Sequence, residues 1–171
     1  MEAGCARLCW RRARAEIKDD ILDRGYDRDI GAFVQSYGSK NLDASNLMLP
    51  LVGFIGADDP RMAGTIAATE RHLTSRHGLV YRYRAFDDGL QGDEGAFTIC
   101  SFWLVDNLIM QDRVTEARNL FDRLKGYAND VGLLSEEIDP ETGELLGNFP
   151  QAFTHLGLIS AAVHVPKAER S

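Results

Sequence analysis

Cysteine, proline and tryptophan are scarce, with three, five and two in 171 residues. Three cysteines cannot close a disulfide framework. Cys5 and Cys9 lie one helical turn apart, Cys100 falls in an apolar stretch, and none has zinc-ligand spacing with a histidine. The expectation is reduced thiols in a cytoplasm, with no metal and no cofactor. Positive charge is also short, with 19 Lys and Arg against 26 Asp and Glu and a net charge of −7. Gripping phosphates takes a concentrated cationic surface, so nucleic acid is excluded as a partner. The one basic cluster, Arg7 to Arg14, is broken by Leu8, Cys9, Trp10 and Ala13 and reads as the wet face of a helix. No apolar run is long enough for a membrane span, and the polar N-terminus shows no signal peptide. Strand alternation is nearly missing as well.

Helical periodicity fills the space left by these absences. The chain is long enough for one domain with a sizeable core, and its 44% apolar and 26% charged residues are ordinary for a globular protein. A first helix, about Ala6 to Arg24, puts Trp10, Ala13, Ile17 and Ile21 on one stripe among charged residues. A second, capped by Asp43, reads LMLPLVGF and is apolar nearly all round, with Pro50 shortening or kinking it. A third opens at Asp59 and Pro60 and carries a Met62, Ile66, Leu73 stripe. The fourth, AFTICSFWLVDNLIM, is apolar on most sides. The fifth, Asp112 to about Tyr127, aligns Val114, Ala117, Leu120, Phe121 and Leu124. The sixth, AFTHLGLISAAVHV after Pro150, is again largely apolar.

Striped and all-apolar helices therefore alternate three times, with a period of about 50 residues. A helix apolar all round needs cover on every side, whereas a striped helix supplies cover and faces water. The alternation predicts an all-α fold with an inner ring wrapped by an outer one: an α/α toroid, here about three helical hairpins. Each striped helix reaches its apolar partner through a long connection: Gly25–Leu42, His77–Glu94 and Ala128–Asn148. The return trips, Gly56–Asp59 and Gln111–Asp112, are short. Loops beyond about 12–15 residues usually have a task. Antiparallel packing places all three at one end, over the N-termini of the inner helices.

Those loops read FVQSYGSKNLD, YRYRAFDDGLQGDEG and SEEIDPETGE. Aromatic faces stack on sugar rings, and carboxylates and arginines bind hydroxyls, so the mixture suits a polyhydroxylated ligand. Glycoside hydrolysis needs two carboxyl groups, one to protonate the leaving oxygen and one to act as base or nucleophile. Composition alone leaves Glu136 and Glu137 equally compatible with a solvated acidic loop tip.

Three stretches carry a family resemblance: AFVQSYGSKNLDASNLMLPLVGF, GLVYRYRAFDDGLQGDEGAFTICSFWLVD and GLLSEEIDPETGELLGNFPQAFTHLGLI. From about Trp10 to Val163, their wording, order and spacing resemble the C-terminal half of a glycoside hydrolase family 15 catalytic domain. That family contains glucoamylases, glucodextranases and prokaryotic trehalases. The EGAF…CSFWLVD and GNFPQAF-H-LGL wording is most similar to the trehalase-type branch. The resemblance implies the (α/α)6 barrel fold, of which residues 1–165 would form a partial α/α-toroid domain, about half the ring, followed by a short tail, 166–171. It also implies an inverting, exo-acting release of glucose without a metal at the chemistry. The substrate would be trehalose or the end of an α-glucan. The family base is the first glutamate of an E-Q or E-E pair before the last inner helix, which falls on Glu136. Glu137 would orient the water or bind hydroxyls. Arg82 and Tyr83 match a family R-Y pair whose arginine binds the first sugar; Arg84 is a lesser candidate. Glu94 would touch sugar or cap the fourth helix. Phe153 would be an aromatic platform or core, a choice shared by Trp103, and His155 lies near the same end.

The family's general acid belongs to a tryptophan–glutamate motif, and neither Trp10 nor Trp103 precedes an acid here. The expectation is a truncated product, split subunit or fragment. Its uncovered apolar flanks call for self-association or an upstream half of the barrel. A non-catalytic helical module that binds sugar or a partner is the competing expectation.

Overall fold

A computed structural model describes residues 2–84 and 95–170, with side chains described from residue 8 onward. Among the described residues there are six helices: α1 (Glu2–Arg24), α2 (Met48–Leu51), α3 (Pro60–His72), α4 (Thr98–Met110), α5 (Val114–Lys125) and α6 (Ala152–Ala168). Among the described residues, none of them is long and apolar enough to cross a membrane. A 3₁₀ turn, Ala44–Leu47, leads into α2. Five two-residue strands complete the elements: β1 (Tyr26–Asp27), β2 (Ala32–Phe33), β3 (Ala96–Phe97), β4 (Glu137–Ile138) and β5 (Leu145–Leu146).

Helix α3 forms where local chemistry directs it. The Asp59 carboxylate accepts the Arg61 N–H at 3.0 Å, and Pro60 occupies the first turn, where its missing N–H costs nothing. Met62 and Ile66 are fully buried along its stripe, each stabilising the fold by about 1.5–3 kcal/mol relative to exposure. In α5 the buried Ala117, Leu120, Phe121 and Leu124 follow the same rule. Helix α4 is wrapped almost entirely, from Thr98 through Leu108, with only Trp103 partly open. It packs against α5 and α6 on one side and against α2 and the 3₁₀ turn on the other. The α4–α6 approach is close: a Cβ on Gly157 would lie 2.9 Å from the Phe102 Cβ.

Two inner elements are shorter or more open than a full inner helix, as Pro50 and the uncovered flanks of a half ring lead the sequence to expect. The second inner helix shrinks to the 3₁₀ turn plus the four residues of α2, which carries Pro50 at its third position. Helix α6 buries Thr154, Gly157, Ala161 and Val165, while Leu156 and Ile159 stay 63% and 59% exposed, the open flank expected of the last inner helix in a half ring. The α1 stripe is likewise uncovered, with Trp10 75% and Ile17 60% exposed. These two flanks are the ends of the half ring.

The long connections meet at one end of the helices. The Ala44 N–H donates to the Arg82 carbonyl at 2.8 Å, joining the first to the second. The second and third share an antiparallel sheet ordered β3-β4-β5, in which Phe97 pairs with Glu137 and Glu137 with Leu146.

Candidate functional site

The sheet fixes Glu136. Its carbonyl accepts the Thr98 N–H at the head of α4 (3.0 Å), and its N–H donates to the Asn148 carbonyl (3.0 Å). The carboxylate takes two donors from one residue, the Asn148 N–H at 3.1 Å and the Asn148 Nδ2 at 2.9 Å. Gly147 makes this turn feasible, because φ is +71° there and a Cβ would sit 2.9 Å from Glu136 Oε2. The carboxylate is partly open to solvent, oriented, and ionised acceptors of this kind make strong bonds.

Glu137 points elsewhere, as strand alternation requires. A Cβ on Gly95 would lie 2.9 Å from Glu137 Oε2, and Leu146 packs beside the same spot. The Ser135 hydroxyl bonds the Glu137 carbonyl. The two adjacent glutamates are therefore held by different neighbours.

Arg82 reaches the same end of α4 from the second connection. Its Nε lies 3.6 Å from Oδ1 of the buried Asp43, while its side chain stays half-exposed. Asp43 also caps the 3₁₀ turn, accepting the Ser45 N–H at 2.8 Å. Both charges act on Cys100, one turn into α4. Burial pushes that thiol far above its ordinary value and Asp43 adds to the rise, while Arg82 opposes it. Cys100 is thus an inert core thiol. Tyr83 lies with its ring 5.7 Å from the Arg82 guanidinium, and Arg84 stacks on Tyr81 at 4.2 Å. Tyr81, Tyr83, Arg84, Asp139 and Glu141 line a cleft of about 560 Å³ at this end.

Asp139 closes the β4–β5 turn. Its carboxylate accepts the N–H of Glu141 (2.8 Å) and of Thr142 (3.3 Å), which hold it below the usual carboxylate range. Phe153, at the start of α6, is exposed and meets Trp103 edge-on, with centroids 5.9 Å apart. His155 uses both nitrogens: Nδ1 lies 2.8 Å from the Gln151 carbonyl, and Nε2 accepts the Leu134 N–H at 3.4 Å. That is the bonding of an imidazole held in place by backbone. Glu94 lies outside the described residues. Among those described, no group of three or more His, Cys, Asp or Glu side chains could hold a metal ion.

One further trio resembles a nucleophilic triad in composition only. At the far half of α4, Asp106 accepts from Ser160 at 2.9 Å and pairs with His164 Nδ1 at 2.9 Å. Ser160 approaches that same nitrogen, at 3.4 Å, so no base faces the hydroxyl from the other ring nitrogen. The trio ties α4 to α6.

Asn148 and the pairing role of Asp43 went unnoticed in the sequence. Asn148 sits 12 residues from Glu136 and has no periodic signal. The Asp43 cap was legible, whereas its partner Arg82 lies on a different connection.

Helical hairpins packed as an arc, with the long loops gathered over the inner helices and carboxylate, arginine and aromatic groups among them, define the class as an α/α toroid. Solved structures agree on the fold. A wild-type glycosidase superposes with a TM-score of 0.77 at 21% identity, over 93% of this chain and 44% of that one. A glycosidase variant in complex with glucose gives 0.78 at 20% identity over the same shares. Residues 1–163 match glycosyl hydrolases family 15, and the chain belongs to that family. The trehalase of Mycolicibacterium smegmatis is 52% identical over 94% of this chain and 24% of its own length. The trehalase of Thermoplasma volcanium is 46% identical over 95% of this chain and 25% of its own. The chain thus spans about a quarter of the curated relatives it matches.

Proposed function

We propose that this chain is the base-bearing part of an inverting, exo-acting glycosidase that releases glucose, with trehalose as substrate. The observation that carries the reading is the Glu136 carboxylate, oriented by two Asn148 donors at the α4 end where Asp43 positions Arg82. Likeness to trehalases at 46–52% identity supports trehalose over a glucan end.

In this mechanism Glu136 removes a proton from water as it attacks the anomeric carbon from the side opposite the leaving sugar. Asn148 keeps the accepting oxygen in place through the attack. Arg82 donates to hydroxyls of the reacting sugar, with its free donors presented as a planar fork. Tyr83, Glu94, Glu137 and Phe153 are assigned to sugar binding around it. The leaving oxygen takes its proton from a second carboxyl group, which this reading assigns to another part of the ring. The reading keeps the cytoplasmic setting and the metal-free chemistry expected from the sequence.

The test grafts residues 1–163 in place of the matching segment of the Mycolicibacterium smegmatis trehalase and follows glucose release from trehalose and from maltose. Turnover of trehalose well above maltose is expected. Glu136→Gln in that chimera should lower kcat by at least 10³-fold, on the order of 4 kcal/mol of barrier, with the melt unchanged. A Glu136→Gln chimera that keeps near-normal turnover removes Glu136 from the role of base.

A further inference from the structure

We propose that His155 is a positioning residue for the base: it fastens the segment that carries Glu136 to the first turn of α6 and touches no sugar itself. The inference deepens the hydrolase reading and rests on Glu136 being the base.

Three hydrogen bonds close a circuit. The Gln151 N–H donates to the Leu134 carbonyl at 2.9 Å. The Leu134 N–H donates to His155 Nε2 at 3.4 Å. His155 Nδ1 completes the circuit, 2.8 Å from the Gln151 carbonyl. A backbone N–H can only donate and a carbonyl can only accept, so Nε2 is the acceptor and Nδ1 the donor. The Gln151 carbonyl also takes the His155 N–H at 3.2 Å, which ties the residue's main chain and its ring to one oxygen. Both ring nitrogens are occupied by backbone, so neither is left to bind a sugar hydroxyl or to move a proton to substrate.

The circuit brackets the site. Leu134 lies two residues ahead of Glu136, and Gln151 three residues past Asn148. Between them the base meets its orienting partner: the Glu136 N–H reaches the Asn148 carbonyl at 3.0 Å, and the Asn148 Nδ2 reaches the carboxylate at 2.9 Å. The separation of Leu134 from Gln151 therefore governs how the carboxylate meets the amide. Held by the Gln151 N–H alone, the Leu134 peptide would pivot about a single contact. The second contact, through His155, stops that rotation.

Stiffness carries the restraint forward to the base. Leu134 and Ser135 are fully buried, and the Ser135 hydroxyl bonds the Glu137 carbonyl, spanning Glu136. The sheet cannot supply the same restraint from the other side, because β4 is only Glu137–Ile138 and begins after the base. Removing the imidazole leaves the Leu134 N–H buried without an acceptor, an unfavourable state. Its relief is a swing of the segment away from α6, and the Glu136 carboxylate moves with it.

His155→Ala and His155→Phe both remove the two ring bonds, the second without opening a cavity, whereas His155→Gln keeps one donor and one acceptor. In the full chain, heteronuclear NMR should show a hydrogen-bonded, slowly exchanging Asn148 side-chain amide in wild type and His155→Gln, and a freely exchanging one in His155→Ala and His155→Phe. In the trehalase chimera, His155→Ala and His155→Phe should lower kcat on the order of 10–100-fold while KM moves less than about threefold, and His155→Gln should recover most of the loss. Glu136→Gln keeps the two hypotheses apart: normal turnover in that chimera removes the base, while the Asn148 amide still reports whether His155 fastens the segment. The proposal is overturned by wild-type kcat in His155→Ala or His155→Phe, by a rise in KM with kcat intact, by a His155→Gln no better than His155→Ala, or by an Asn148 amide signal that ignores all three substitutions.

Discussion

At the residue scale the site is defined by what holds Glu136. A base is useful only if its oxygen is aimed at the water before the transition state forms. Asn148 supplies both donors, but only the side-chain amide can be removed without altering the backbone. A hydrogen bond to a charged acceptor is worth about 1.5–3 kcal/mol, which converts to a ~10–100-fold rate effect. In the trehalase chimera, Asn148→Ala should therefore lower kcat by about that factor while KM moves less than threefold and the melting temperature holds. A rise in KM with kcat intact would make Asn148 a ligand of the ground-state sugar and leave Glu136 without its proposed positioning partner.

At the element scale, legibility followed the periodicity that burial on one face writes into sequence. The α3 and α5 stripes could be read because each helix has one dry side, and the same residues, Met62, Ile66, Leu120 and Leu124, are buried. Asp59 and Pro60 marked the α3 start for a reason visible in the structure, a side-chain cap. The sheet of β3, β4 and β5 was invisible because two-residue strands have no alternation to display. α6 was legible as an inner helix from its composition, and its open face followed from the count of three hairpins, since periodicity records what a helix is suited to touch and not whether the partner is present. Asp59 also gives α3 a pH dependence. Its carboxyl falls from an ordinary 3.8 to about 2, first through the Arg61 guanidinium and then through the Arg61 N–H. A depressed carboxyl contributes stability that is full above its unfolded value and disappears as pH falls through its folded one. Asp59→Asn keeps an oxygen for the cap and loses the charge. The gap in melting temperature between wild type and Asp59→Asn should be constant above about pH 5 and close between about pH 4 and 2. A gap that persists unchanged at pH 2 would mean that the ion pair contributes nothing to α3.

At the scale of the whole molecule, the open ring and the chemistry make one joint demand. On the proposed reading the base sits on the connection before α6 and the leaving-group proton comes from across the ring, so water and leaving sugar occupy opposite faces of the reacting carbon. The stereochemistry of the products therefore reports on the architecture. In trehalose both anomeric carbons are α. Attack by a Glu136-activated water inverts one of them and gives β-glucose from that ring, while the other ring departs with its own configuration and appears as α-glucose. Proton NMR of the chimera's products, recorded faster than mutarotation, should show the two anomers in equal amounts at the earliest times. The Glu136→Gln chimera should restore neither anomer at a comparable rate. Two equivalents of α-glucose would require a covalent glycosyl-enzyme and a second attack, with the two carboxyl groups only about 5 Å apart. Glu136 would then act as a nucleophile in direct reach of the sugar, and the water held between base and substrate would have no place in the site.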